Sequence, residues 1–413
     1  MKKVNYLKLA IAITVVSIFV SCSKNGENKS TQPTQQKAAT DGVMSENGDN
    51  PDEAAMTTQN ASLAATNSIS ENRDRNAHFL YTESNEAGNN KILIYAIGRD
   101  GSLQLTGATA SGGAGTGKGL GSQAALVLDK NHEWLFAVNA GSNSVSSFKV
   151  NDDGSLTLAH TESSGGATPI SASTNGKLLY VLNFGSDNIQ GFSIGEDGSL
   201  AAIEGSAQSL SGAGVNAPQI SFTPNGDWVI VTEKATNNIS SFKVKHNGSV
   251  WPAIVTASTG ATPFGFEFAR DRFMVVSNAA GGAAGAGSAT SYTIGNNGNP
   301  QQINGAVPNH EAAPCWVAIT QYGRFAFLTN TASNSISSYY INAEGRLFLA
   351  HQVAASTNDG PLDIVVAKNN YYVYTLNGKS GTIGEYHRTP LGGLESIGSV
   401  SALPAPATGL ATY

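Results

Sequence analysis

Charged side chains are scarce: Asp, Glu, Lys and Arg supply 13% of the 413 residues, with a formal net charge of -6. That balance excludes a nucleic-acid partner, which needs a basic surface to displace counterions. Cysteine is nearly absent. Cys22 and Cys315 are the only two, neither lies in a Cys-x-x-Cys pair, and the seven histidines are scattered. No metal site and no cofactor are expected from that pattern. Glycine is abundant instead, with 46 residues. Glycine costs about 1 kcal/mol in a helix interior, so a Gly-rich, charge-poor chain reads as short strands joined by tight turns.

The chain begins with Lys2 and Lys3, then an apolar run from Leu9 to Val20. This run is too short to span a bilayer but fits the apolar part of a secretory signal. Phe19-Val20-Ser21-Cys22 resembles the lipobox at which bacterial lipoproteins are cleaved and acylated on the new N-terminal cysteine. Residues 1–21 are therefore expected to be a signal peptide, with Cys22 lipidated and holding the protein to a membrane of the cell envelope. Ser23, with no acid after the cysteine, points to the outer membrane. An acylated Cys22 forms no disulfide with Cys315. Residues 22–76 are polar and contain no aromatic residue. Such a segment cannot offset its conformational entropy by burial and reads as a disordered tether, with an r.m.s. reach of about 40 Å.

From residue 77 one pattern recurs seven times. An entry often led by proline precedes an alternating strand and a polar turn. An apolar strand ending in Asn follows, then a strand ending in an aromatic, then an Asp-Gly or Asn-Gly turn. Strand ends fall at Ser84, Asn139, Asn183, Glu233, Asn278, Asn330 and Asn377. The later turns fall at Gly101, Gly154, Gly198, Gly248, Gly298, Gly345 and Gly393. Steps of roughly 45–55 residues match the four-stranded blades of a propeller. The first repeat lacks an entry strand, and Pro404 to Ala411 supply one with nothing after it. The fold expected is all-β: a seven-bladed β-propeller over residues 77–413, with N- and C-terminal strands closing one blade. A monomer is expected.

Antiparallel connectivity puts the entries and the strand ends on one face, around the channel mouth. Glu233 stands where other blades carry Asn, so it is a candidate general base, or else a carboxylate capping a turn. Asp363, second after the entry Pro361, either faces the channel and joins Glu233 or caps a backbone N–H. Gln219 and Trp316 follow entry prolines and are candidate binding residues, Trp316 as a stacking platform or as packing between blades. His310 and Glu311 form an adjacent acid–base pair in a loop facing the same way. The repeated Asn residues serve the repeat itself by bonding turn backbone.

The unit Pro169…Asn175-Gly176-Lys177-Leu178-Leu179-Tyr180-Val181-Leu182-Asn183…Asp197-Gly198-Ser199-Leu200, taken with its six relatives, resembles the lactonase-type seven-bladed propellers. That family includes 6-phosphogluconolactonases and 3-carboxymuconate lactonizing enzymes. The resemblance implies hydrolysis of a lactone or related cyclic ester at the mouth. The family's histidines are not matched: Gln219-Ile220-Ser221 follows Pro218, and Cys315-Trp316 follows Pro314. Two functions stay open. One is an envelope hydrolase of a small-molecule lactone; the other is a non-catalytic propeller that binds a glycan, peptide or envelope protein.

Overall fold

The computed structural model describes residues 78–413, so the signal peptide, Cys22 and the tether lie outside the described residues. Seven antiparallel sheets form seven blades. Blade 1 takes its inner strand from Thr408–Thr412, followed outward by His78–Glu83, Lys91–Ile97 and Leu103–Ala110. The inner strands of blades 2 to 7 are Leu126–Leu128, Pro169–Thr174, Gln219–Phe222, Pro263–Ala269, Pro314–Ile319 and Pro361–Val366. Each second strand ends at the anticipated Asn or Glu: Trp134–Asn139, Leu178–Asn183, Trp228–Glu233, Phe273–Asn278, Phe325–Asn330 and Tyr372–Asn377. The architecture is the all-β seven-bladed propeller expected from the repeats.

The core is a ring of seven apolar layers, one between each pair of neighbouring blades. Tyr180 and Ile189 of blade 3, for instance, pack against Val229 and Phe242 of blade 4. Alternation supplies both faces of each blade, since successive residues of a strand point to opposite sides. Closure follows the termini. Tyr81 pairs with Ala411 and Thr82 with Leu410, so the last strand seals the blade begun by the first and removes a sheet edge.

Tight turns between third and outer strands press on the preceding blade. Gly198 has φ 78°, and a Cβ there would lie 2.1 Å from the Trp134 ring. In blade 7 the residue in this role is Gly392, with φ 85°, rather than Gly393. The turn Thr389-Pro390-Leu391-Gly392 lacks the Asp that marks Gly101, Gly154 and Gly198, and Gly393 takes the place that Ser102 holds in blade 1.

Candidate functional site

The entry end of the channel is sealed. Trp316 and Phe264 are fully buried there, with ring centroids 4.8 Å apart. Trp316 donates its Nε1–H to the Ser122 carbonyl at 2.7 Å. Gln123, entering blade 2, reaches across to blade 6: its Nε2 donates to the Val317 carbonyl at 2.7 Å, and its Oε1 accepts the Val317 N–H at 3.0 Å. Gln219 clips blade 4 to blade 5 in the same way, through both backbone groups of Phe266 at 2.9 and 2.7 Å. Trp316 and Gln219 thus act as packing and backbone clamps. Cys315 is buried beside them and disulfide-bonded, against the expectation drawn from an acylated Cys22.

Glu233 is also buried, and its carboxylate is occupied. It accepts hydrogen bonds from Ser211 N at 3.1 Å, Thr236 Oγ1 at 2.8 Å, Ser240 Oγ at 2.6 Å and the Ser211 hydroxyl. Four donors hold it as the centre of a turn network, with no lone pair turned to the channel. The repeated Asn residues do similar work: Asn330 Nδ2 donates to Ser335 and Ser337. Glu311 accepts from Ser335 Oγ and Gln352 Nε2, joining loop to strands, while His310 is exposed, and no hydrogen bond joins the two side chains.

Below the seal lies a cavity of about 470 Å³ walled by inner strands of all seven blades. It reaches the opposite face, where the turns between inner and second strands lie, through Lys130, His132 and Thr412. Two carboxyl groups line it. Asp363 of blade 7 accepts the Ile364 N–H and the Leu410 N–H, each at 2.9 Å. Burial raises its pKa to about 7 against the lowering by those two donors. Glu267 of blade 5 is exposed to the cavity and accepts the Ile319 N–H through Oε2. The surrounding protein wall, together with the charge of Asp363, raises its pKa to about 8. Asp363 therefore does face the channel, and the acid it interacts with is Glu267, not Glu233. Glu267 was legible as the one acid in an inner strand of phenylalanines, Phe264-Gly265-Phe266-Glu267-Phe268. Among the described residues no cluster of His, Cys, Asp and Glu is arranged to hold a metal ion.

Paired carboxyls with raised pKa values inside a ring of seven blades invite comparison with known propellers. Residues 114–216 match the family model described as "Lactonase, 7-bladed beta-propeller". The resemblance to the lactonase-type propellers is thus shown, and solved structures agree on the fold over the whole ring. A candidate 6-phosphogluconolactonase of Bacteroides fragilis superposes with a TM-score of 0.69 at 17% identity, covering 83% of this chain and 99% of that one. A periplasmic gluconolactonase of Pseudomonas aeruginosa superposes with a TM-score of 0.64 at 17% identity, covering 81% and 98%. Among curated proteins, none matches this sequence significantly. At such identities the lactonase-type neighbours speak for the fold; chemistry has to come from the residues of the cavity.

Proposed function

We propose that the protein is a lactone hydrolase of the cell envelope, with Glu267 and Asp363 as its acid–base pair in the central cavity. The carrying observation is that two interacting carboxyls with raised pKa values share one solvent-reachable cavity. Its size falls within the roughly 300–1,000 Å³ usual for small-molecule sites. The family match and the lactonase-type neighbours favour a cyclic ester as substrate.

At neutral pH Glu267 keeps its proton and Asp363 shares its own with solvent. The Asp363 carboxylate takes a proton from water as that oxygen attacks the lactone carbonyl. The ring C–O bond breaks, and the leaving alkoxide takes the Glu267 proton. The pair resets as Asp363 gives up its new proton and Glu267 regains one, with no net change, and the one proton released comes from ionisation of the product acid. Turnover therefore needs Asp363 ionised and Glu267 protonated, which gives a bell-shaped pH profile with limbs near about 7 and 8. The test is hydrolysis of a panel of sugar and aromatic lactones by the full chain. Glu267→Gln should lower kcat at least roughly 100-fold and remove the alkaline limb. A folded wild type inactive on every lactone would leave the non-catalytic binding propeller as the reading.

The membrane link rests on Lys2, Lys3, the apolar run and Ser21-Cys22. The Cys22 sulfur can carry a lipid thioether or enter a disulfide, not both. Intact mass of protein extracted from membranes decides between them. A mass with diacylglycerol and acyl chains supports the anchor; a lipid-free mass with a bridge opened by reductant removes it.

A further inference from the structure

We propose that a second pocket, between blades 6 and 7, binds an acidic saccharide through Arg324 and Arg388, with Tyr322 and Tyr371 as stacking faces. The pocket holds about 470 Å³ and opens on the face of the inner-to-second-strand turns. It lies apart from the central cavity, sharing none of its lining residues.

In five blades a residue at the end of the third strand donates its N–H to the residue that precedes the second strand. In four blades that donor is Val150, Ile194, Val244 or Ile341. Register gives Ile97 and Ile294 the same place in two more. All six are apolar and fill the cleft between blades. In blade 7 the donor is Arg388, bonded to the Tyr371 carbonyl. A cation in a position that six blades keep apolar departs from the repeat, and departures of that kind concentrate at functional sites.

The surroundings increase the demand for an anion. Arg388 spends Nε on the Asn370 carbonyl and Nη1 on the Thr389 carbonyl, at 2.8 and 3.0 Å, which fixes the plane of its guanidinium. Nη2 remains available. Arg324, just before the second strand of blade 6, lines the same pocket, and its guanidinium makes no hydrogen bond or ion pair among the described residues. Burial and the Arg324 cation hold Arg388 below its usual pKa, the mark of like charges brought together. No carboxylate lines the pocket; the nearby Glu395 is engaged with His387 at 3.9 Å. Two guanidiniums without an acid suit a planar carboxylate, which arginine binds through paired N–H bonds.

The aromatic component points to a sugar ring. Tyr322 and Tyr371 are 70% and 59% exposed, high values for tyrosines that could have packed in the core. Tyr322 stands where the corresponding turns carry Asn175 and Asn225. Asn369, Asn370 and Gln321 add donors and acceptors at the rim. An apolar face beside fixed polar groups and cations matches a hexuronate: a C–H face for stacking, hydroxyls for the amides and a carboxylate for the arginines.

The test titrates the purified full chain with a tetrasaccharide of galacturonic acid, a neutral tetrasaccharide of glucose, and inorganic phosphate, by calorimetry at two salt concentrations. The uronate should bind and weaken with salt, while the other two bind at least tenfold more weakly. Arg388→Ile restores the residue of the other blades, so folding should be kept and uronate affinity should fall at least tenfold. Tyr322→Ala should reduce affinity without changing its salt dependence. Lactone turnover should be untouched by Arg388→Ile, so this site and the cavity chemistry stand or fall separately. No uronate binding at about 10 mM, or binding indifferent to Arg388→Ile, overturns the site. Equal binding of phosphate overturns the saccharide, and equal binding of the neutral sugar overturns the arginine pair.

Discussion

Glu267 meets solvent only inside a cavity of the protein, and this sets how it couples to stability. An unfolded glutamate releases its proton near about pH 4.3. In the native chain it holds that proton up to about 8. Between those values the folded state binds more protons than the unfolded one, so stability falls as pH rises through the window. Asp363 adds to the fall with the same sign up to about 7. So does Glu83, whose wholly buried carboxyl is pushed well above its usual value and has one oxygen without a partner. The urea midpoint should therefore be higher at about pH 5 than at about pH 8.5. Glu267→Gln keeps the acceptor for the Ile319 N–H and should reduce that difference. A midpoint that rises with pH, or a variant with the wild-type slope, would show that these carboxyls ionise normally. Of the two roles open to Glu233, the hydrogen bonds favour the carboxylate that caps a turn. An acid at a repeated Asn position stands out in the sequence, but Ser211, Thr236 and Ser240, which surround it, come from loops and a neighbouring strand whose aim is set only by the folded turn.

At the level of elements, blades are legible because their signals are local. Turn glycines, second-strand Asn residues and alternating apolar positions each sit within a few residues of what they determine. Which end of the channel is closed is not local. It depends on Gln123 meeting Val317, 194 residues away and on the far side of the ring. Entry prolines therefore marked the right strands, while the open cavity lies toward their other ends. The contact between turn and blade can be tested on two glycines with similar backbones. Gly198 has φ 78° and Trp134 2.1 Å from a would-be Cβ, whereas Gly176 has φ 89° and nothing within 4 Å. Gly176→Ala should cost only the left-handed penalty, about 1–2 kcal/mol. Gly198→Ala adds overpacking against the indole and should cost roughly 2–5 kcal/mol. Equal midpoint shifts in denaturant would mean that the turn does not bear on the preceding blade.

A propeller becomes a single body only when its ring is closed, and here closure rests on the last residues of the chain. The inner strand Thr408–Thr412 lies between the inner strands of blades 7 and 2 and pairs with His78–Glu83 of its own blade. Leu410 and Ala411 are buried in it, as is Ala407 just before it, and Tyr413 stacks on His132 at 5.1 Å. Asp363 ties this strand to the site by accepting the Leu410 N–H, so the proposed acid–base pair and the closure share a residue. Removing Pro404–Tyr413 exposes the edge of His78–Glu83, opens two apolar layers and leaves Asp363 with half its donors. Loss of the buried Leu410 and its neighbours alone is worth about 3–5 kcal/mol. The truncated protein should melt well below the full chain and aggregate through the freed edge. Leu410→Ala, which keeps the strand and its backbone bonds, should lose only about 2–4 kcal/mol. Were the truncated protein to melt with the full chain, the seven blades would be stable without closure, and the terminal strand would serve only to hold Asp363 in place.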